Sequence, residues 1–416
     1  MPPSTTLLRC APVTDFDKQL AAELSALREV DLLRTLRRVE SAAGTRVRIG
    51  GRELLNFSSN DYLGLANHPA LKEAAIRAVE KYGAGSGASR LVCGSLAVHH
   101  ELEESLAAFK GTEAALSFPT GYAAAQGAII ALLGKGDVLI VDKLVHACIV
   151  DAAKLCGAKL RVFRHNDMED LEAKLRWAAK QMRNAECVTR NLRPRVLVIT
   201  ESVFSMDGDI APLRNIVELK ERYGAWLMVD EAHATGLFGE RRSGLVEEFG
   251  LTGRVEIQMA TLGKAVGAAG GAICGSRELV DLMVNRARSF VFSTAPVPAA
   301  AAAARAGLAI IQSQEGETRR QRLWLLVEEL KRVLIEAGFP PSAVRAPIVP
   351  VVVGVESRAV ALSGALHETG VFVPAIRFPT VARGAARLRF TMSAEHTAEN
   401  LAQLADALAS IANRKS

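Results

Sequence analysis

The chain has 416 residues, 49% of them apolar and 23% charged, with a net charge of +6; it is long enough for two or three domains and too apolar for wholesale disorder. So small and dispersed a charge excludes a nucleic-acid surface and suits an anionic substrate. The six cysteines are scattered without a C-x-x-C pair, which predicts neither a metal site nor a disulfide frame and makes a reducing cytoplasm the expected compartment.

The first residues, "MPPSTTLLRCAPVTDFDKQ", hold no apolar run long enough for a signal peptide, and no later run predicts a membrane span. Residues 19–40 place leucines at helical spacing among mixed charges, predicting an amphipathic helix whose stripe needs a surface to cover it. From about 105 to 275, short apolar β-rich runs alternate with helical stretches: "DVLIVD", "LRVFRH", "RVLVIT", "AWLMVD", "EIQMAT" and "GAICGS". This alternation predicts βαβ units, and hence an α/β fold around a largely parallel sheet with helices on both faces. "VPAAAAAARAGLAII" follows two prolines and carries Arg305, so it reads as a buried helix. Beyond residue 306, a long helix, a few strands and a closing helix predict a smaller α+β domain. The expected divisions are an N-terminal helical segment at 1–55, a large domain at 56–305 and a small domain at 306–416.

In such sheets ligands bind beyond the carboxyl ends of the strands. There the sequence delivers His146, Ser205, Asp230 with His233, and Thr261 with Lys264. Lys264 lies in "TLGKAVGAAGGAICG" with no other charge nearby. A Walker-type phosphate loop is excluded, because Gln258 stands where it needs glycine and Ala265 where it needs Ser or Thr. What remains is a lysine on a mobile surface loop, or one held in a tight apolar turn so that its amine reacts.

A reactive lysine bonded to an aldehyde cofactor also requires an acid for the cofactor's ring nitrogen, a cover for the ring and a phosphate seat. Pyridoxal 5'-phosphate makes those demands. Asp230 suits the ring nitrogen, with a helix N-cap as its alternative role. His233, three residues on, would face the phenolic oxygen, and His146 would lie over the ring; the alternative for each is an ordinary loop histidine. Gly121 and Tyr122 begin a helical pattern suited to a phosphate, and the Thr261 hydroxyl would add to that seat. Glycines 263, 267, 270 and 271 permit close backbone approach or, equally, a flexible loop.

The stretches "LNFSSNDYLGLANHP", "GAGSGASRLVCGSLAVHHELE", "FRHNDMEDLE", "TESVFSMDGDIAPL", "LMVDEAHATGLFGE", "TLGKAVGAAGGAICGS" and "VFVPAIRFPTVARGAARLRFTMSAEHT" resemble those of the α-oxoamine synthases. These are pyridoxal-phosphate enzymes of the aspartate-aminotransferase fold, and the resemblance spans roughly residues 30–410. It implies that Lys264 bonds the cofactor, Asp230 partners its ring nitrogen, His146 stacks on it, Ser205 and His233 lie near its phenolic oxygen, and Gly121, Tyr122 and Thr261 hold its phosphate. Lys264, His146, His233 and Asp230 would be catalytic. Arg389, aided by Asn60, would bind the amino-acid carboxylate, a task that suits a guanidinium's parallel donors. Arg34 and Thr380 match substrate-contacting positions, as does His146, and Arg377 would meet a distal carboxylate. Family assembly implies a homodimer, with Ser293 and Thr294 reaching a phosphate across subunits. The chain departs from the family pattern at Ala125, often Asn, and at Cys93, commonly Ser; residues 178–194 look like a surface excursion.

The implied activity is decarboxylative condensation of L-alanine with pimeloyl-CoA or pimeloyl-acyl-carrier protein, a step of biotin synthesis. The alternatives are a sister reaction, such as that of glycine C-acetyltransferase, and a non-catalytic scaffolding subunit.

Overall fold

The computed structural model describes residues 14–183, 194–341 and 344–413. Helix α1 (Asp15–Glu29) starts at Thr14, whose hydroxyl accepts from the Asp17 N–H while the Asp17 carboxylate accepts from the Thr14 N–H. This reciprocal cap sets the start earlier than the leucine spacing predicts. The helix also ends earlier, because Asp31 turns left-handed and the Leu32 and Leu33 amides bond back to the Leu27 carbonyl. Leu32 is thereby drawn into the interior while Leu36 stays exposed, so the leucine period after residue 29 is not a helical face.

The hairpin β1 (Arg46–Ile49) and β2 (Arg52–Asn56) is followed by α2 (Pro69–Tyr82) and α3 (Ala97–Lys110). Then come β3 (Ala114–Phe118), α4 (Gly121–Leu132), β4 (Val138–Asp142), α5 (Ala147–Cys156), β5 (Lys159–Phe163) and α6 (Met168–Arg183). Most of the expected excursion, residues 184–193, lies outside the described residues. The chain continues through β6 (Val196–Glu201), α7 (Leu213–Arg222), β7 (Trp226–Asp230), α8 (Leu245–Glu248), β8 (Ile257–Thr261), β9 (Gly271–Gly275), α9 (Arg277–Arg286), α10 (Arg288–Val291) and α11 (Pro298–Gln312). It closes with α12 (Gln314–Glu336), β10 (Ile348–Gly354), α13 (Glu356–Glu368), β11 (Val371–Phe372), β12 (Ala375–Ile376), β13 (Ala386–Thr391) and α14 (Ala398–Asn413).

The central sheet has seven strands in the order β3-β9-β8-β7-β6-β4-β5. Strands β8, β7, β6, β4 and β5 are parallel, whereas β9 runs antiparallel to both of its neighbours. The run "GAICG" is therefore not another βαβ strand. Residues 262–270 are too few for a crossover helix, so β8 returns directly as β9. Along the central strands, alternate residues enter opposite layers: Val138, Ile140, Val198 and Val229 face α6, α7 and α11, while Leu139, Val141, Ile199 and Met228 face α4, α5 and α9. Both faces are thus covered, as a parallel sheet requires.

Two smaller sheets flank this layer. The antiparallel sheet β10-β13-β12 carries Arg387 and Arg389 on β13, and β11 adds in parallel to β2, joining residues 371–372 to the N-terminal hairpin. Among the described residues no helix is long and apolar enough to cross a membrane, and no cluster of His, Cys, Asp and Glu has the make-up of a metal site.

Candidate active site

Lys264 occupies the β8–β9 return. Its neighbours Leu262, Ala265 and Val266 are buried, and the turn is closed by bonds from Leu262 N–H to the Gly270 carbonyl (2.9 Å) and from Gly267 N–H to the Lys264 carbonyl (2.9 Å). Gly267 is left-handed, and a Cβ there would lie 2.6 Å from the carbonyl carbon of Leu65. The glycines thus serve a packed turn, and the mobile-loop reading fails. Burial lowers the Lys264 pKa, against the opposing pull of Asp230 and Glu201. Its amine lies 2.9 Å from Nε2 of the buried His233.

Strand ends supply the surrounding groups. Asp230 closes β7, its Oδ1 accepting from the Ala232 N–H at 2.9 Å, and no described residue donates to its Oδ2. Beside it in register, Glu201 closes β6. Its Oε2 accepts from the Ser205 N–H at 3.2 Å, while Oε1 is buried without a partner. Complete burial, then the charge of Asp230, push the Glu201 pKa well up, so Asp230 sits beside a neutral acid. The loop after Asp230 is anchored by Lys110, whose fully buried ammonium donates to Glu231 (2.8 Å), Thr235 (3.0 Å) and the Ser243 carbonyl (2.5 Å). Removing one member of such a pair costs about 3–5 kcal/mol.

His146 caps α5, its Nδ1 accepting from the Cys148 N–H at 3.2 Å. It is accessible, and desolvation lowers its pKa despite the nearby Asp230. Burial lowers the His233 pKa much further, reinforced by Lys264 and Arg389, and leaves that imidazole neutral. Cys148, buried beneath His146, has its thiol pKa pushed up by burial and by Asp230, so it is no nucleophile at neutral pH.

Gly121 and Tyr122 open α4, and their N–H groups precede the first intrahelical bond, from Ala124 to the Thr120 carbonyl. A Cβ on Gly121 would lie 2.5 Å from Thr261 Cγ2, and one on Gly271 would lie 2.5 Å from the Gly121 Cα. Gly121 and Thr261 are thus in direct contact. The Tyr122 hydroxyl donates to Asp151 at 2.7 Å.

From the small-domain side, Arg389 is buried. Its Nε donates to the Ser205 carbonyl (2.6 Å) and its Nη1 to Asn60 Oδ1 (3.1 Å), and the guanidinium also hydrogen-bonds the Tyr62 hydroxyl. Arg387 grips the same loop through Asp207 and the Met206 carbonyl. Arg34, Arg377 and Thr380 form a separate group. Arg34 Nη2 donates to the carbonyls of Arg377 (3.4 Å) and Phe378 (3.1 Å) and to the Thr380 hydroxyl (3.4 Å), and Arg377 Nη2 donates to the Leu33 carbonyl (2.7 Å). Thr294, exposed and bridged to Ser89, borders a cavity of about 250 Å³ with Pro119 and Gly270.

A family model described as aminotransferase class I and II matches residues 52–408. The 8-amino-7-oxononanoate synthase of Geobacter sulfurreducens is 48% identical over 95% of this chain and 98% of its own length; that of Symbiobacterium thermophilum is 45% identical over 96% and 98%. This chain is an α-oxoamine synthase of the class I and II aminotransferase family. Among solved structures, the serine palmitoyltransferase of Sphingomonas wittichii is 30% identical with a TM-score of 0.86, covering 97% of this chain and 99% of that one. That of S. paucimobilis, solved with bound PLP joined to myriocin, is 29% identical with a TM-score of 0.87 over the same shares. An 8-amino-7-oxononanoate synthase from Francisella tularensis shares the fold at 24% identity and a TM-score of 0.72, covering 87% and 98%.

The α-oxoamine synthase is thus a pyridoxal-phosphate-dependent acyltransferase, and its residues fit that cofactor. A strand-end carboxylate with an oxygen to spare, a lysine amine whose pKa is lowered and a helix start opened by Gly121 match ring nitrogen, aldehyde and phosphate. Sequence reasoning overlooked Tyr62, Glu201 and Cys148. Glu201 was findable, as an acid ending a strand next to Asp230's. Tyr62 was quoted in "SNDYLGL" but belongs to a loop remote in sequence from its partners, and no spacing signals it.

Proposed function

We propose that this chain is an 8-amino-7-oxononanoate synthase, condensing L-alanine with a pimeloyl thioester to give 8-amino-7-oxononanoate, carbon dioxide and the free thiol in biotin synthesis. The observation that carries this reading is 42–48% identity to synthases of that name, covering at least 94% of their length, against 29–30% to the serine palmitoyltransferases. The lysine, both histidines and the aspartate are all present, which speaks against a scaffolding role.

Bound pyridoxal phosphate supplies an aldehyde that takes up the amino group of alanine and a ring that withdraws electron density from its Cα. Asp230 holds the proton on the ring nitrogen, its charge unshared by the neutral Glu201. Gly121, Tyr122 and Thr261 hold the phosphate, and His146 covers the ring. Ser205 and His233 face the phenolic oxygen. Arg389 grips the alanine carboxylate, its direction fixed by Asn60 and the Ser205 carbonyl.

Lys264, its pKa lowered by burial, removes the Cα proton as general base. The Cα electron pair forms a bond to the thioester carbonyl carbon, the C–S bond breaks, and the thiolate leaves. The former alanine carboxylate departs as carbon dioxide while His146 or His233 hydrogen-bonds the new ketone oxygen. Lys264 then returns a proton to Cα. Arg34, Arg377 and Thr380 receive the acyl group, with Arg377 meeting its distal carboxylate. Two facts support this: neither arginine makes an ion pair among the described residues, and Arg377 Nε is buried without a partner.

The assembly is a homodimer in the cytoplasm, with Ser293 and Thr294 serving the neighbouring subunit's phosphate. The apolar stripe Phe16, Leu20, Leu24 and Leu27 on α1 supports the dimer, because every one of these side chains is exposed. The test is the visible spectrum of the purified holoenzyme with L-alanine, glycine or L-serine, followed by pimeloyl-CoA or pimeloyl-acyl-carrier protein. Alanine alone should shift the cofactor band, and either thioester should then release thiol and carbon dioxide in equal amounts. A response to glycine or serine with alanine silent assigns a sister activity.

A further inference from the structure

We infer that Tyr62 is a positioning residue that sets the direction of the hydrogen-bond chain ending on Lys264. Tyr62 is wholly buried, between β2 and α2, with its ring 6.0 Å from the His233 imidazole. Its hydroxyl is 2.6 Å from His233 Nδ1 and 3.1 Å from Asn60 Oδ1, and the opposite nitrogen of the imidazole is 2.9 Å from the Lys264 amine. Arg389 Nη1 donates to the same Asn60 oxygen. An unbroken chain therefore runs from Arg389 through Asn60, Tyr62 and His233 to Lys264.

The chain has two settings, because a phenol has one hydrogen and a neutral imidazole has one N–H. If Tyr62 donates to Asn60, its oxygen accepts from Nδ1–H of His233, and Nε2 is left with a lone pair that accepts from Lys264. If Tyr62 instead donates to Nδ1, the imidazole hydrogen sits on Nε2 and points at Lys264, which must then be neutral to accept it. Burial decides that His233 and the Tyr62 phenol are both uncharged in either setting. Asn60 Oδ1 has two lone pairs, and Arg389 uses one. The other lies 3.1 Å from the phenol oxygen, whereas Nδ1 is only 2.6 Å away, a separation that fits O–H···N and is short for N–H···O, so the second setting holds and the imidazole hydrogen points at a neutral Lys264.

Tyr62→Phe keeps the buried ring and deletes only the oxygen. His233 then loses the partner that fixes its tautomer, and its lone pair can turn to Nε2, where the ammonium form of Lys264 gains an acceptor. The other groups facing Lys264 stay in place: Asp230 and Glu201 on the sheet, Arg389 on β13, Cys148 and His146 at α5. The variant's lysine should therefore deprotonate at higher pH.

The inference rests on Lys264 being the base, as in the proposed reaction, but its main test needs no substrate. The full chain, stripped of cofactor, is labelled with an amine-reactive reagent across pH, and Lys264 modification is followed by peptide mass spectrometry. Tyr62→Phe should label Lys264 about tenfold slower on the rising limb, one pKa unit higher than wild type. In the holoenzyme, kcat should fall about tenfold while KM for alanine stays within about twofold. An unchanged labelling curve in a folded variant overturns the proposal even if activity falls. If the variant does not fold, the ¹⁵N shifts of His233 in the unsubstituted chain decide: hydrogen on Nε2 supports the proposal and hydrogen on Nδ1 overturns it. Failure to use alanine would sink the proposed function and leave the labelling result standing.

Discussion

The group around Lys264 and the group around Arg34 and Arg377 are both rich in charge, yet they are built differently. The first stands on the ends of β6, β7 and β8, and most of its members are buried and tied to one another. The second joins two loops, with guanidiniums bonded to backbone carbonyls and their charges unpaired among the described residues. Rigid strand ends suit chemistry that needs atoms held within fractions of an ångström, whereas loops tolerate variation in the molecule they receive. In the proposed reaction the chemistry at Cα falls to the first group, and acyl choice falls to the second.

Breaking the first group should have the largest effect. Lys264→Ala removes both the cofactor bond and the base, and turnover of alanine with the thioester should fall about 10⁴-fold or more; activity within a hundredfold of wild type would overturn the assignment. Breaking the second should be selective. Arg377→Ala should lower kcat/KM for the pimeloyl thioester about 10–100-fold, the scale of a lost charged hydrogen bond, with KM for alanine unchanged and an uncharged acyl chain of equal length unaffected. A matching loss with the uncharged chain would make Arg377 a structural clasp alone.

The smallest effect sharpens the contrast within the first group's support. His165 bonds Asp142 at 3.0 Å and Asp209 at 2.8 Å, and although burial alone would lower its pKa, the two carboxylates raise it to about 10. A folded-state pKa above the unfolded value gives stability that is fully present below about pH 6.5 and lost as pH rises towards 10. Urea midpoints should therefore decline across that interval in the wild type and stay flatter in His165→Gln. Parallel curves would mean the clamp is neutral.

Much of this was legible in sequence because a parallel sheet announces itself by alternation and presents its ligand groups at strand ends. That rule brought out His146, Ser205, Asp230, His233, Thr261 and Lys264. It does not see contacts made across long sequence separations. Tyr62 meets His233 only when the loop past β2 packs against the loop past β7, and Arg34 meets residues 377–380 only through tertiary packing. Periodicity also misled where a different bond won: the amides of Leu32 and Leu33 end α1 early, and a short return turns β9 against its neighbours. Glu201 was visible as a letter, but its neutrality follows from burial beside Asp230.

The proposed phosphate seat is made by subtraction. Gly121, Thr261 and Gly271 lie so close that a single methyl at either glycine collides with its neighbour. A mutational path through these positions therefore has no gentle first step, since alanine, the smallest change available, already meets the wall. A lineage can reshape the acyl-facing loops by degrees, but it keeps or abandons this corner whole.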